Sequence, residues 1–177
     1  TPTWNLSSTD YATIDDDGKV TNKNTTDEDK TVTLTASYAY DDVTKVATKL
    51  ITLSKRTLNE IAIAGDDTIP TAGNATYTCT AIWSYGESTV ATPTWSLSST
   101  AYASIEEDGK VVNKNTTDVD QTVTLTANYT VGDVTKTTIK VITLEKRMLM
   151  EIVVNGDETI SSGESATYTC TAIWSYG

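Results

Sequence analysis

The sequence contains no histidine and no phenylalanine, and only two cysteines, Cys79 and Cys170. Without histidine there is no Ser-His-Asp triad, no Cys-His dyad and no His-ligated metal site. Two cysteines cannot supply a structural zinc site or a disulfide framework. Positive charge is scarce: 13 Lys and Arg stand against 24 Asp and Glu, a net charge of -11. Such a chain repels nucleic-acid phosphates and anionic membranes. No apolar run reaches the roughly 18 residues of a membrane-spanning helix. The chain opens Thr1-Pro2-Thr3-Trp4, so any initiator Met or signal peptide is expected to lie outside it. What is abundant is threonine, 37 of 177 residues. Threonine is polar yet β-branched and suits the solvated face of a strand. The composition implies a soluble, acidic, all-β protein that is not an enzyme, with no catalytic, cofactor-binding or metal-binding residues.

An internal repeat organises the chain. Residues 1–86 align with 92–177 without a gap at an offset of 91, and 58 of the 86 pairs are identical. Asp17-Gly18-Lys19-Val20 returns as Asp108-Gly109-Lys110-Val111, and the run Tyr77–Gly86 returns unchanged as Tyr168–Gly177. A period of 91 is too long for a solenoid and fits an independently folding small domain.

Within the repeat the apolar period is two. Tyr77, Cys79 and Ala81 alternate with threonines, as do Val123, Leu125, Ala127 and Tyr129 with Thr and Asn. That pattern is a strand with one buried face. Asp-Gly at 17–18 and 108–109 reads as a hairpin turn, and Gly65-Asp66-Asp67 and Gly132-Asp133 as further turns. The expected strands are 58–64, 74–84, 93–98, 101–106, 109–114, 121–131 and 134–144. Seven antiparallel strands in one repeat predict an immunoglobulin-like β-sandwich. The expected core holds Tyr77, Cys79, Ala81, Trp95, Ile105, Val111, Val123, Leu125, Ala127 and Ile139.

The repeats run in a displaced frame. Ser54-Lys55-Arg56-Thr57 and Glu145-Lys146-Arg147-Met148 are short, charged and flanked by apolar β runs, so they read as linkers. On that frame 57–147 is one complete domain. Residues 1–56 are the last five strands of a preceding domain, and 148–177 the first two strands of a following one.

The ordered motifs resemble the bacterial Ig-like domain, group 2. They are Leu58-Asn59-Glu60-Ile61-Ala62-Ile63, Gly73, Tyr77-Thr78-Cys79-Thr80-Ala81, Trp83-Ser84-Tyr85-Gly86 and Thr94-Trp95-Ser96-Leu97-Ser98-Ser99. Tyr102-Ala103-Ser104-Ile105, Asp108-Gly109-Lys110-Val111 and Thr122–Ala127 follow in the same order. Tyr85 stands where that family has a turn Asp, and the family's Gly before the Thr-rich strand is absent. The resemblance implies an extracellular module of bacterial surface proteins, adhesins, fibres or phage tails. The family carries no shared catalytic residues.

Several groups bear on chemistry. Asp15-Asp16-Asp17 and Glu106-Glu107-Asp108 are consecutive carboxylates whose side chains diverge, which suits a solvated turn better than calcium. Asp27-x-Asp29 and Asp118-x-Asp120 are better spaced but offer only two carboxylates each. Cys79 and Cys170 occupy equivalent positions of successive repeats, on the order of 40 Å apart in head-to-tail domains. A disulfide needs Cα atoms within about 7 Å, so each is expected buried and unpaired. Trp83 and Tyr85 are expected to cap the core rather than to stack on sugar, and Trp4 and Trp95 to lie in it. A Lys–Asn isopeptide bond would need a buried lysine, whereas Lys19, Lys23, Lys45, Lys110, Lys114 and Lys136 sit in polar runs. Asn-x-Thr at Asn24, Asn74, Asn115 and Asn128 reads as chance in a Thr-rich chain. Lys55-Arg56 and Lys146-Arg147 read as linker charges rather than protease sites.

The expected function is a structural repeat of an extracellular bacterial stalk, fibre or filament, with an adhesin or carbohydrate-binding module as the alternative. The expected partners are other copies of the repeat, head to tail, and a host or surface ligand, with no nucleic acid, no membrane insertion and no cofactor. The head-to-tail contact is either covalent continuity or donation of two strands between copies.

Overall fold

The structure, a computed structural model, describes residues 1–176. It is all-β, with no helix among the described residues. The first ten strands are β1 (Thr3–Leu6), β2 (Ala12–Ile14), β3 (Val20–Asn22), β4 (Lys30–Tyr40), β5 (Val43–Leu53), β6 (Leu58–Ala64), β7 (Thr68–Ile69), β8 (Asn74–Thr76), β9 (Thr78–Trp83) and β10 (Thr89–Ala91). They are followed by β11 (Thr94–Leu97), β12 (Ala103–Ile105), β13 (Lys110–Asn113), β14 (Gln121–Val131), β15 (Val134–Leu144), β16 (Leu149–Asn155) and β17 (Thr169–Trp174). Strands β1–β5 return as β11–β15, and β6 and β9 as β16 and β17.

The pairing follows from hairpins. β4 and β5 pair antiparallel along their whole length, and β14 and β15 do the same, from Gln121↔Leu144 to Val131↔Val134. β1 adds to β4, and β11 to β14. The sheets are β1-β4-β5, β2-β3, β10-β9-β6, β11-β14-β15-β7, β12-β13-β8 and β16-β17. The Asp-Gly turns form as expected. Gly109, at φ +84°, closes the loop by donating to Glu106 O, and Glu106 N donates to Lys110 O. A Cβ there would lie 2.5 Å from Tyr77 O, so the turn needs glycine twice over.

The expected strand 74–84 is broken at Tyr77. β8 pairs with β13, and β9 joins β6 and β10. At the break Tyr77 N donates to Gly109 O, and its hydroxyl donates to Asp66 O at 2.8 Å. Alternation continues through the break, which is why the sequence does not reveal it. β7 and β10, with two and three residues, are too short to carry a period.

The chain divides into two compact units. One comprises Thr1–Glu60 with Ala81–Thr89, the other Ile61–Thr80 with Val90 onward. The division runs through β6 and β9. The core of the first unit is Leu6, Ala12, Val32 and Leu53, with Val20, Leu34 and Ile51 packed against it half-buried. In the second unit Ile69, Tyr77, Ala103, Val111, Val123, Leu125, Ile142 and Leu144 are buried together. Trp95 and Ile105 pack against that cluster but are only half-buried, a correction to the expected core. Ile139 is also corrected. It is 63% exposed, because β15 turns its even-numbered residues inward, ending in Ile142 and Leu144.

Candidate functional site

The carboxylate pair Asp27-x-Asp29 has a use that the sequence did not suggest. Asn24 folds the turn it sits in. Its amide donates to Glu28 O and Leu53 O, and its carbonyl accepts from Thr26 N and Thr26 Oγ1. That turn presents Asp27 and Asp29 to the segment between β5 and β6. Lys55 N donates to Asp29 Oδ1 at 2.8 Å, Arg56 N to Thr26 O, and Arg56 Nε to Asp27 Oδ1 at 3.2 Å. The Arg56 guanidinium then lies 3.8 Å from the ring centroid of Trp83 at the end of β9. Thr57 and Ser84 complete the joint: Thr57 N donates to Ser84 Oγ, and Ser84 N to Thr57 O. Gly86 sits so close to Thr25 that a Cβ would be 2.9 Å from its methyl.

The same joint forms again 91 residues on. Lys146 N donates to Asp120 Oδ1, Arg147 N to Thr117 O, and Arg147 Nε to Asp118 Oδ1 at 2.9 Å. Arg147 lies 4.1 Å from the Trp174 ring centroid, and Met148 and Ser175 exchange the same two bonds. Lys55-Arg56 and Lys146-Arg147 are therefore engaged by the turn before them and, through the arginine, by a tryptophan. An exposed ion pair alone contributes little. Cation–π stacking on tryptophan adds about 1 kcal/mol, and backbone N–H bonds to carboxylates are the stronger, charge-assisted kind. The two carboxylates of each Asp-x-Asp pair bind the chain itself. Among the described residues no three metal-ligating side chains converge. In the acidic turn at 15–19, Asp15 Oδ1 accepts from Asp17 N and Lys19 N.

The aromatic tip splits. Trp83 is buried under Arg56, whereas Tyr85 is 42% exposed. β9 ends at Trp83, so the two-residue phase does not extend to Tyr85. An open cleft of about 450 Å³ lies beside Trp95, lined by Pro93, Thr94, Ile105, Glu106 and Glu107. Cys79 is buried and its thiol pKa is pushed up by burial, which makes it a poor nucleophile. Cys170, expected buried, is exposed, because its strand β17 pairs only with β16. Asn24 and Asn115 are buried with their amides engaged and cannot accept a sugar; Asn74 is exposed. None of the six lysines weighed for an isopeptide bond is buried.

No family model matches the chain, and no curated protein matches it. Among solved structures it is similar to the crystal structure of the S-layer protein rSbsC(31-844), at 15% identity and a TM-score of 0.40. It is also similar to surface layer protein SbsC, domains 1-6, at 16% identity and a TM-score of 0.39. Each overlay covers 97% of this chain and 28% of the other. Both are loose overlays.

Proposed function

We propose that this chain is a non-enzymatic structural module of a bacterial cell-surface stalk, fibre or filament, built from Ig-like sandwiches of 91 residues arrayed head to tail. One observation carries the proposal: the same joint forms twice at the same offset. At each joint an arginine spans an Asp-bearing turn and the tryptophan that ends β9 or β17. A flexible linker between independent binding modules has no need of six fixed contacts. A load-bearing array does, because each joint then resists bending and slippage. The threonine-rich strand faces suit a solvated surface, and the resemblance to group 2 bacterial Ig-like domains points the same way. Antibodies against the chain should label intact source cells without permeabilisation. Labelling that appears only after permeabilisation would refute the surface assignment.

A second reading, a carbohydrate-binding or adhesin module, is favoured by the cleft beside Trp95. Trp95, Glu106 and Glu107 line it together. A glycan array distinguishes the two: on the adhesin reading a defined glycan binds, and Trp95→Ala abolishes that binding.

A further inference from the structure

The sequence favours linker charges over a protease site for Lys55-Arg56. In the structure the groups that a protease would use there are already engaged. A protease that cleaves after lysine or arginine draws that side chain into an acidic pocket, and it needs an accessible main chain with free donors and acceptors. The Arg56 side chain is held elsewhere. Its Nε donates to Asp27 Oδ1 at 3.2 Å, its guanidinium lies 3.8 Å from the Trp83 ring centroid, and the side chain is 17% exposed. The main chain is held too. Ser54 O accepts from the Asn22 amide, Lys55 N donates to Asp29 Oδ1, Arg56 N to Thr26 O and Thr57 N to Ser84 Oγ, while Thr57 O accepts from Ser84 N.

None of these contacts is sheet pairing. Residues 54–57 lie outside every strand, between β5, which ends at Leu53, and β6, which starts at Leu58. Both leucines are buried, at 2% and 4% exposure, so the segment is anchored at each end. Between the anchors it is closed by the turn around Asn24 on one side and by Trp83 and Ser84 on the other. Asp27 and Asp29 are themselves exposed. The closure therefore depends on surface side chains that can be removed without touching the core.

We infer that the Arg56–Thr57 peptide bond is a cleavage site for a basic-specific serine protease, held shut by the joint and cut only when the joint opens. The reaction is hydrolysis: the bond between Arg56 C and Thr57 N breaks, and water supplies the OH of the new Arg56 carboxyl group and a hydrogen to the new Thr57 amine. Where closing is faster than cleavage, proteolysis of a folded chain follows the population of the open form. The contacts of Asp27, Asp29, Trp83 and Ser84 then set the rate at which the chain is divided there. Lys146-Arg147 is held by the equivalent contacts. The inference goes beyond the structural role proposed above and stands without it.

The test uses the full chain with trypsin as the probe, and mass spectrometry follows the fragment that begins at Thr57. A free peptide spanning residues 50–63 gives the rate for the same bond unprotected. Wild type should be cut there roughly a hundredfold more slowly than the peptide. Asp27→Ala combined with Asp29→Ala removes two bonds to charged groups and should raise the rate about tenfold or more. Ser84→Ala removes the acceptor of Thr57 N and should also raise it. Cleavage after Lys49, inside β5 and paired with β4, serves as the internal reference and should hardly change in either variant. The inference is overturned if wild type is cut at Arg56–Thr57 as fast as the peptide, or if neither variant is cut faster there than wild type. It is overturned equally if the variants speed cleavage after Lys49 by the same factor, because a general loss of folding then accounts for both. Each of these results leaves the surface-labelling test of the structural role standing separately.

Discussion

Removing one buried amide should unravel the turn on which the joint is built. Asn115 is 1% exposed. Its amide donates to Val119 O at 2.9 Å and Leu144 O at 3.2 Å. Its carbonyl accepts from Thr117 N at 2.9 Å and Thr117 Oγ1 at 2.7 Å. Asn115→Ala deletes all four. A hydrogen bond contributes roughly 0.5–1.5 kcal/mol net, and a buried group left without a partner costs about 1–3 kcal/mol. Thr117 can turn to water; Leu144 O, at the end of a fully buried residue, cannot. The sum is about 3 kcal/mol. At a urea m-value of about 1–3 kcal/mol/M, the midpoint should fall by roughly 1–3 M. Because the chain has two compact units, two transitions are expected, and only the one reporting the second unit should move. Asn24→Ala should move the other. A loss below about 1 kcal/mol, or a shift in the wrong transition, would refute the reasoning. Asn115→Asp adds a sign test, since it sets a carboxylate against two carbonyl oxygens. Its folded pKa is then raised above the unfolded value of about 3.9, so stability is retained below that pH and lost as pH rises through the folded pKa.

Asp41, at φ 51°, and Ala72, at φ 56°, hold left-handed backbone where the other copy has Gly132 and Gly163. Asp41→Gly and Ala72→Gly should each stabilise by about 0.5–1 kcal/mol, read as a higher melting temperature; a drop for both would refute the strain argument. The Tyr77 pKa is pushed up to about 12, by burial first and then by Asp66 and Asp67. The neutral phenol is thus favoured in the fold, and its contribution is full below about pH 10 and lost as pH rises toward 12. Phenolate absorbance should show a late ionisation step near pH 12, and Tyr77→Phe should remove that step. Arg56→Ala should cost about 1–2 kcal/mol and change Trp83 fluorescence, with most of the loss persisting in high salt, because stacking is screened less than an exposed ion pair. A loss that vanishes in salt would assign Arg56 a surface ion pair only.

The parts of the fold visible in the sequence are those with a sustained period. The expected strands at 58–64, 121–131 and 134–144 match β6, β14 and β15 residue for residue. Phase is less secure than existence. At Ile139 a long strand alternating Thr with Lys and Ile offers no contrast to fix which face is buried. Tyr77 hides a change of sheet because inward-facing residues continue on either side of it. The joint was harder still. Asp27, Arg56 and Trp83 are far apart in sequence, each has an ordinary explanation alone, and their meeting depends on the turn that Asn24 folds. Cys170 shows a different limit. Its residue type and phase are those of buried Cys79, and only the absence of covering strands leaves it in solvent.

The two copies, taken together, carry the signal that one copy lacks. They differ at about one position in three, and the differences around the joint sort by chemistry. Where a side chain makes the contact, the residue is kept: Asn24 and Asn115, Asp27 and Asp118, Asp29 and Asp120, Arg56 and Arg147, Trp83 and Trp174, Ser84 and Ser175. Where a residue has changed, only its main chain takes part. Glu28 O and Val119 O accept the same amide bond. Thr57 and Met148 exchange the same two backbone bonds with the serine. Ser54 O and Glu145 O accept from the asparagine at the same distance of 3.4 Å. On the solvent face of the long hairpin, away from the joint, Val46 stands opposite Thr137 in the other copy, Thr48 opposite Ile139, and Leu50 opposite Val141. Simple recent duplication would scatter substitutions across the joint without regard to which atoms it uses. Their restriction to main-chain positions means that the joint's side-chain contacts constrain what this repeat can become.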